Sequence, residues 1–182
     1  ALNGLVVTKG RIAPFIVTLG TMAIFRSLSL YMGDAGEFRS ANQLYGDIGS
    51  AVLLYVPVPV WLMLAIAAFF SLLLKRTRYG RYVRAVGSNQ RVALYSSIDV
   101  DKVRFLTYVI NGAVVAVSAI LISMRFNAVG SSTLGVNYEM DAIAAAVIGG
   151  TSMAGGSGTI WGTVIGAVIL GIINNMLNMV GI

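Results

Sequence analysis

The chain has 182 residues, of which 57% are hydrophobic and 11% charged, with a net charge of +6 and a mean hydropathy of +0.83. Soluble domains carry about a quarter charged residues, so this composition argues against a water-soluble fold and for an integral membrane protein. The absence of cysteine and histidine excludes disulfide frameworks, thiol nucleophiles, the usual zinc sites and histidine acid–base catalysis.

Residues 1 to 8 read as the tail of a helix, with no signal peptide ahead of it, so the opening looks like the middle of a longer protein. Lys9 and Arg11 form a short basic turn. A first span is expected over 12–32, with Pro14 in its opening turn, where a missing N–H costs little. Residues 33–47 are polar and Gly-containing, which suits an external loop. A second apolar stretch covers 50–74. Pro57 and Pro59 interrupt it, so a short external segment is expected before the span proper, from about 57 to 74.

Residues 75–104 hold Lys75, Arg76, Arg78, Arg81, Arg84, Arg91, Lys102 and Arg104 against Asp99 and Asp101, which accounts for the whole net charge. In a soluble protein such a stripe suggests nucleic acid. Flanked by apolar spans, it reads instead as a cytoplasmic loop under the positive-inside rule. Ser88 or Asn89 can cap a short amphipathic helix there. That helix either lies passively among lipid headgroups or docks a cytoplasmic partner.

A further span is expected over 105–124, then a polar external loop over 125–140. The last stretch is a broken helix: 141–150 is Ala-rich but too short to cross, a Gly-rich segment interrupts it, and 159–180 resumes. Unwound backbone is tolerated at membrane depth only where protein or a water-filled cavity covers it, and a Gly-broken apolar segment points to a transport pathway. Whether this piece re-enters or crosses does not follow from the charges. A faint echo of residues 2–7 at 173–178 suggests an internal repeat. The fold class expected is an all-α polytopic transmembrane bundle forming a single permease domain, with a Gly-broken helix near its C-terminus.

Several polar residues are candidates to line a pathway: Arg26, Asn111, Glu139, Asp141, Gly149, Gly150 and Thr151. Arg26 is an intramembrane charge that can also snorkel. Glu139 and Asp141 either hydrogen-bond a hydroxylated solute or, for Asp141, cap a helix. Asn111, Asn174, Asn175 and Asn178 glue helices or line a polar path. Gly162 and Gly166, extended by Gly171, place small residues on one helix face, a packing pattern. No Lys follows the glycines as a phosphate-binding loop requires. Asp99/Asp101 and Glu139/Asp141 are the nearest carboxylate pairs and make no convincing catalytic or metal constellation, so neither an enzyme nor a cofactor is expected.

Three motifs carry a family resemblance. Arg11-Ile12-Ala13-Pro14-Phe15-Ile16-Val17-Thr18-Leu19-Gly20, then Arg78-Tyr79-Gly80-Arg81 leading to Ala85-Val86-Gly87-Ser88-Asn89, and finally Tyr138-Glu139-Met140-Asp141 through Ile148-Gly149-Gly150-Thr151-Ser152 and on to Gly162-Thr163 arrive in family order. The chain thereby resembles permeases of the ribose/xylose/galactose class of bacterial ABC sugar importers. The resemblance implies a multi-pass subunit of the bacterial inner membrane that pairs with a second permease copy. It also implies a periplasmic sugar-binding protein and a separate cytoplasmic ABC ATPase, which would dock on the loop holding Gly87, Ser88, Asn89, Arg91, Ala93, Ser97 and Ile98. Family members are longer, so the chain looks like the C-terminal portion of one. The family usually has acidic and small residues after the Gly-Asn pair and Ser-Gly before the Ile. Here Gln90, Arg91, Val92 and Ser97 stand in those places.

The leading reading is therefore a permease subunit for a monosaccharide such as ribose, surrounded by lipid and driven by ATP hydrolysis in a partner. A secondary transporter or channel for a small polar solute is the alternative, but it would more often carry a coupling-ion carboxylate deep in a span. A purely structural membrane subunit would gain nothing from a broken helix.

Overall fold

The computed structural model describes residues 2–34, 36–39, 46 and 49–181. In chain order the elements are α1 (Leu2–Gly10), α2 (Pro14–Met32), β1 (Glu37–Arg39), β2 (Val52–Leu53), β3 (Val56–Pro57), α3 (Val58–Arg76), α4 (Arg78–Ser88), α5 (Gln90–Tyr95), α6 (Val100–Phe126), β4 (Ala128–Gly130), α7 (Tyr138–Ile148) and α8 (Ile160–Val180). Four helices, α2, α3, α6 and α8, are long and apolar enough to cross a membrane, at about 1.5 Å per residue against a hydrocarbon layer of about 30 Å. The protein is an all-α polytopic membrane protein. Its spans expose most of their large apolar side chains, Phe15, Ile16, Phe69 and Ile165 among them, as helices facing lipid or protein neighbours do.

The chain forms two compact units, one of residues 1–62 and 101–134, the other of 63–100 and 135–182. In the first, α1 packs on α2. It also lies so close to α6 that a Cβ on Gly4 would come within 3.0 Å of the Phe105 ring and 3.1 Å of the Tyr108 Cβ. Pro14 opens α2 at the position where it costs no hydrogen bond. The segments after α2 and α6 then meet: β1 pairs antiparallel with β4, Phe38 opposite Val129, and the Ser131 hydroxyl donates to the Gly36 carbonyl at 3.1 Å. This pairing places the C-terminal ends of α2 and α6 at one membrane face. Sequence reasoning expected two external loops; that they join as strands was not legible from either alone.

The apolar stretch expected over 50–74 is helical from Val58 to Arg76. Ahead of it, β2 and β3 form a hairpin, Val52 opposite Pro57 and Leu53 opposite Val56. Leu54 and Tyr55 turn it with φ of 52° and 63°, both left-handed, as a two-residue hairpin turn demands. The Trp61 indole donates to the Leu53 carbonyl at 3.2 Å and ties the hairpin to the first turn of α3. Pro59 sits in that first turn, where its missing N–H is harmless.

In the second unit α3 ends at Arg76 and the chain turns sharply into α4. The Thr77 hydroxyl accepts from the Gly80 N–H at 3.2 Å, a side-chain cap. A Cβ on Gly80 would overlap the backbone of Leu74, so only glycine permits so tight a turn. The Arg84 guanidinium donates to the Leu74 carbonyl, where the C-terminal turn of a helix favours a cation. After α4 the Asn89 side chain accepts from the Arg91 and Val92 N–H groups, at 3.0 and 3.3 Å, and starts α5. Helix α5 closes with Ser97 at φ 57° and the Ile98 N–H bonded back to the Ala93 carbonyl at 3.1 Å, the left-handed C-terminal arrangement usually given to glycine.

Candidate functional site

The broken helix is a hairpin. A Cβ on Gly162 would strike the Gly149 carbonyl, and one on Gly166 would strike the Ala145 carbonyl. A step of four residues forward along α8 thus matches a step of four backward along α7, so the two helices run antiparallel in backbone contact. Helix α7, with 11 residues, extends about 16 Å, roughly half the hydrocarbon thickness. The segment over 149–158 therefore doubles the chain back, joining a short helix to a long one as a helical hairpin.

Local chemistry dictates the turn. Gly150, at φ 82°, ends α7 with its N–H on the Val147 carbonyl, and the Thr151 N–H reaches the Ala146 carbonyl, both at 2.9 Å. That is the paired C-terminal bonding a left-handed glycine allows. The loop that follows is closed by the Ser152 N–H on the Ser157 carbonyl at 3.0 Å. The Thr159 hydroxyl then accepts from the Gly162 N–H at 3.1 Å and starts α8. Several backbone groups freed by the break near the turn are thereby taken up within the element, which lowers the cost of holding it out of water.

The same loop touches α4. A Cβ on Gly87 would lie 2.7 Å from the Gly156 nitrogen, and one on Gly155 would lie 2.6 Å from the Gly87 carbonyl oxygen. Gly156, at φ 79°, backs directly on Ser88. The C-terminal end of α4 and the tip of the broken helix are thus in close contact, backbone against backbone at Gly87.

Beside this contact lies a cavity of 380 Å³ among α3, α4 and the hairpin, lined by Ser71, Lys75, Arg84, Thr151, Ser157 and Thr159 along with apolar and glycine neighbours. A second, of 290 Å³, lies between α7 and α8 with Asp141 and Asn174 at its wall.

The residues singled out for a pathway are distributed unevenly. Thr151 lines the larger cavity and Asp141 the smaller. Gly149 is at the α7–α8 contact, Gly150 makes the turn, and Glu139 is exposed on the first turn of α7. Arg26 and Asn111 are exposed on α2 and α6, in the other unit. Gly162 and Gly166 face α7, whereas Gly171 has no neighbour within 4 Å of a Cβ, although it borders the smaller cavity. Of the docking candidates, Gly87 and Ser88 meet the hairpin, Asn89 caps α5, Ala93 is 2% exposed, Ile98 is half-buried, and Arg91 and Ser97 are exposed. Sequence reasoning missed Lys75, Arg84 and Ser71 as one cluster. Their only sequence signal is that a basic pair ends a span. Among the described residues no group of three His, Cys, Asp or Glu side chains could hold a metal ion.

Comparison with known proteins accords with this architecture. The chain is 37% identical over 185 residues to a ribose import permease protein of Haemophilus influenzae, covering 100% of the chain and 57% of that protein. It is 41% identical over 182 residues to the ribose import permease protein of Bacillus subtilis, covering 99% and 56%. A D-allose transport system permease protein of Escherichia coli is 38% identical over 179 residues, with 98% and 55% covered. The chain thus spans a little over half the length of these curated relatives. No solved structure matches it. With four helices among the described residues long and apolar enough to cross a membrane, it is a multi-pass protein of the bacterial cell membrane. The family described as branched-chain amino acid transport system / permease component matches residues 1–182, and the chain belongs to that family of permeases.

Proposed function

We propose that this chain is the membrane-spanning part of an ABC importer subunit that passes a monosaccharide such as ribose, driven by a separate cytoplasmic ATPase. The observation that carries the reading is the likeness, over essentially the whole chain, to permeases named for ribose and D-allose. All of these solutes are small polyhydroxy compounds, which suits a pathway supplied with hydroxyl, amide and backbone groups. A periplasmic sugar-binding protein delivers the solute, and a second permease copy completes the channel.

In this reading α4 and α5 are the ATPase dock. Supporting it, α5 buries Ala93 while Val92, Leu94 and Tyr95 stand 57%, 59% and 88% exposed. Exposed apolar residues set among cations on a short capped helix make a surface suited to a protein partner. Movement of α4 would reach the broken helix directly through the Gly87–Gly156 contact. The test is cysteine scanning through 88–98 in the full-length permease, with crosslinking to the ATPase encoded beside it, with and without ATP. ATP-sensitive crosslinks are expected. None at any position, with the complex intact, overturns the dock, and failure of the permease to form any complex with that ATPase favours a transporter working without one.

A further inference from the structure

Basic side chains at a membrane surface attract anionic groups. The 380 Å³ cavity holds two, Lys75 and Arg84, and no carboxylate lines it. A monosaccharide is neutral and gives them nothing to neutralise. Arg84 spends one N–H on the Leu74 carbonyl, and a guanidinium keeps four more donors. Hydroxyls complete the wall. Thr159 uses its oxygen as an acceptor for the α8 cap, which leaves its proton to donate. Ser71 is 8% exposed and lines the cavity.

We propose that this cavity binds a phosphate group. Two cations in a wall that also carries serine and threonine hydroxyls match a phosphodi- or monoester: negative, rich in acceptors, and small against 380 Å³. Its position favours an anionic phospholipid as the source. Lys75 lies in the last turn of a membrane-crossing helix, the depth of the headgroups. Leu74, Val83 and Ile160 supply apolar wall where glycerol and the first acyl carbons would rest. Basic pockets between transmembrane helices on the cytoplasmic side hold lipid headgroups by this chemistry. The site does not depend on the import reading, since it needs only that the basic segment lie at the membrane surface. A bound headgroup would brace α3, α4 and the hairpin tip together.

The test uses the full-length permease in nanodiscs of phosphatidylcholine alone or mixed with phosphatidylglycerol. Thermal unfolding and native mass spectrometry of retained lipid are the readouts. Phosphatidylglycerol is expected to raise the unfolding temperature and to stay bound through detergent transfer. The double variant K75Q/R84Q should lose both effects, with retention about thirtyfold weaker, equivalent to about 1 kcal/mol for each basic side chain. The variant R76Q/R81Q removes two neighbouring cations that do not line the cavity and should keep both effects. Ser157→Glu places a carboxylate at the exposed loop edge while leaving the Arg84 bond intact, and it should abolish retention even if the double variant fails to fold. Inorganic phosphate that stabilises the protein in phosphatidylcholine, and is lost with S157E, assigns the site to a soluble phosphate compound. Equal lipid retention in wild type, S157E and R76Q/R81Q overturns the proposal.

Discussion

Alanine at Gly166 is the sharpest perturbation of the broken helix, because the same substitution one turn and a half further along α8 is its control. At Gly171 a Cβ meets nothing within 4 Å, so alanine should do only what it does in any helix and stabilise by up to about 1 kcal/mol. At Gly166 the same gain is opposed by a Cβ that overlaps the Ala145 carbonyl and comes within 2.9 Å of the Gly149 nitrogen and 3.1 Å of the Ala145 carbonyl carbon. These are backbone atoms and cannot rotate aside. The helices must separate, and overpacking of this kind costs about 1–3 kcal/mol. G166A should therefore fall below G171A by roughly that amount, since the propensity gain is common to both and cancels in the comparison. Thermal unfolding of the purified full-length permease, with both variants in the same detergent, measures the difference directly. If G166A proves as stable as G171A, α7 and α8 are not in backbone contact, and the hairpin geometry is refuted.

Three other outcomes follow from particular contacts. In a chain without native cysteine, F38C/V129C should form a disulfide on oxidation, because directly opposed residues of an antiparallel pair have Cα atoms about 4.5–5.5 Å apart, inside disulfide range; failure to crosslink in the folded protein would break the β1–β4 pairing. Ser97→Gly should stabilise the folded permease by about 1 kcal/mol, since Ser97 is held at φ 57° in a region costly to a side chain; a loss of stability would mean that the serine earns its place through a contact. Asn89→Ala should cost about 1 kcal/mol by removing the cap of α5 and should speed amide exchange at Arg91 and Val92, whereas Asn89→Asp, which keeps the accepting oxygen, should not.

What could be read from the residues in order is what depends on their order. The spans around α2, α3, α6 and α8 are legible because crossing a bilayer requires a continuous apolar run, and the break at 149–158 because glycine runs are poor helix. The cap at Asn89 was legible too, a matter of one side chain and the next three residues. Even the family could be recognised from three local motifs. The tertiary structure alone decided which distant segments meet. Gly162, Gly166 and Gly171 look alike as spaced small residues, yet only contact with α7 distinguishes the first two. Nothing in either polar loop announces that residues 37–39 pair with 128–130, because strand pairing depends on a partner that periodicity does not name. Lys75, Arg84 and Ser71 read as a basic loop edge and a serine in a span until α3, α4 and the hairpin enclose them. Hydropathy is a property of one segment, whereas a cavity belongs to several at once, so these charges and hydroxyls come to line one wall only when the fold brings their segments together.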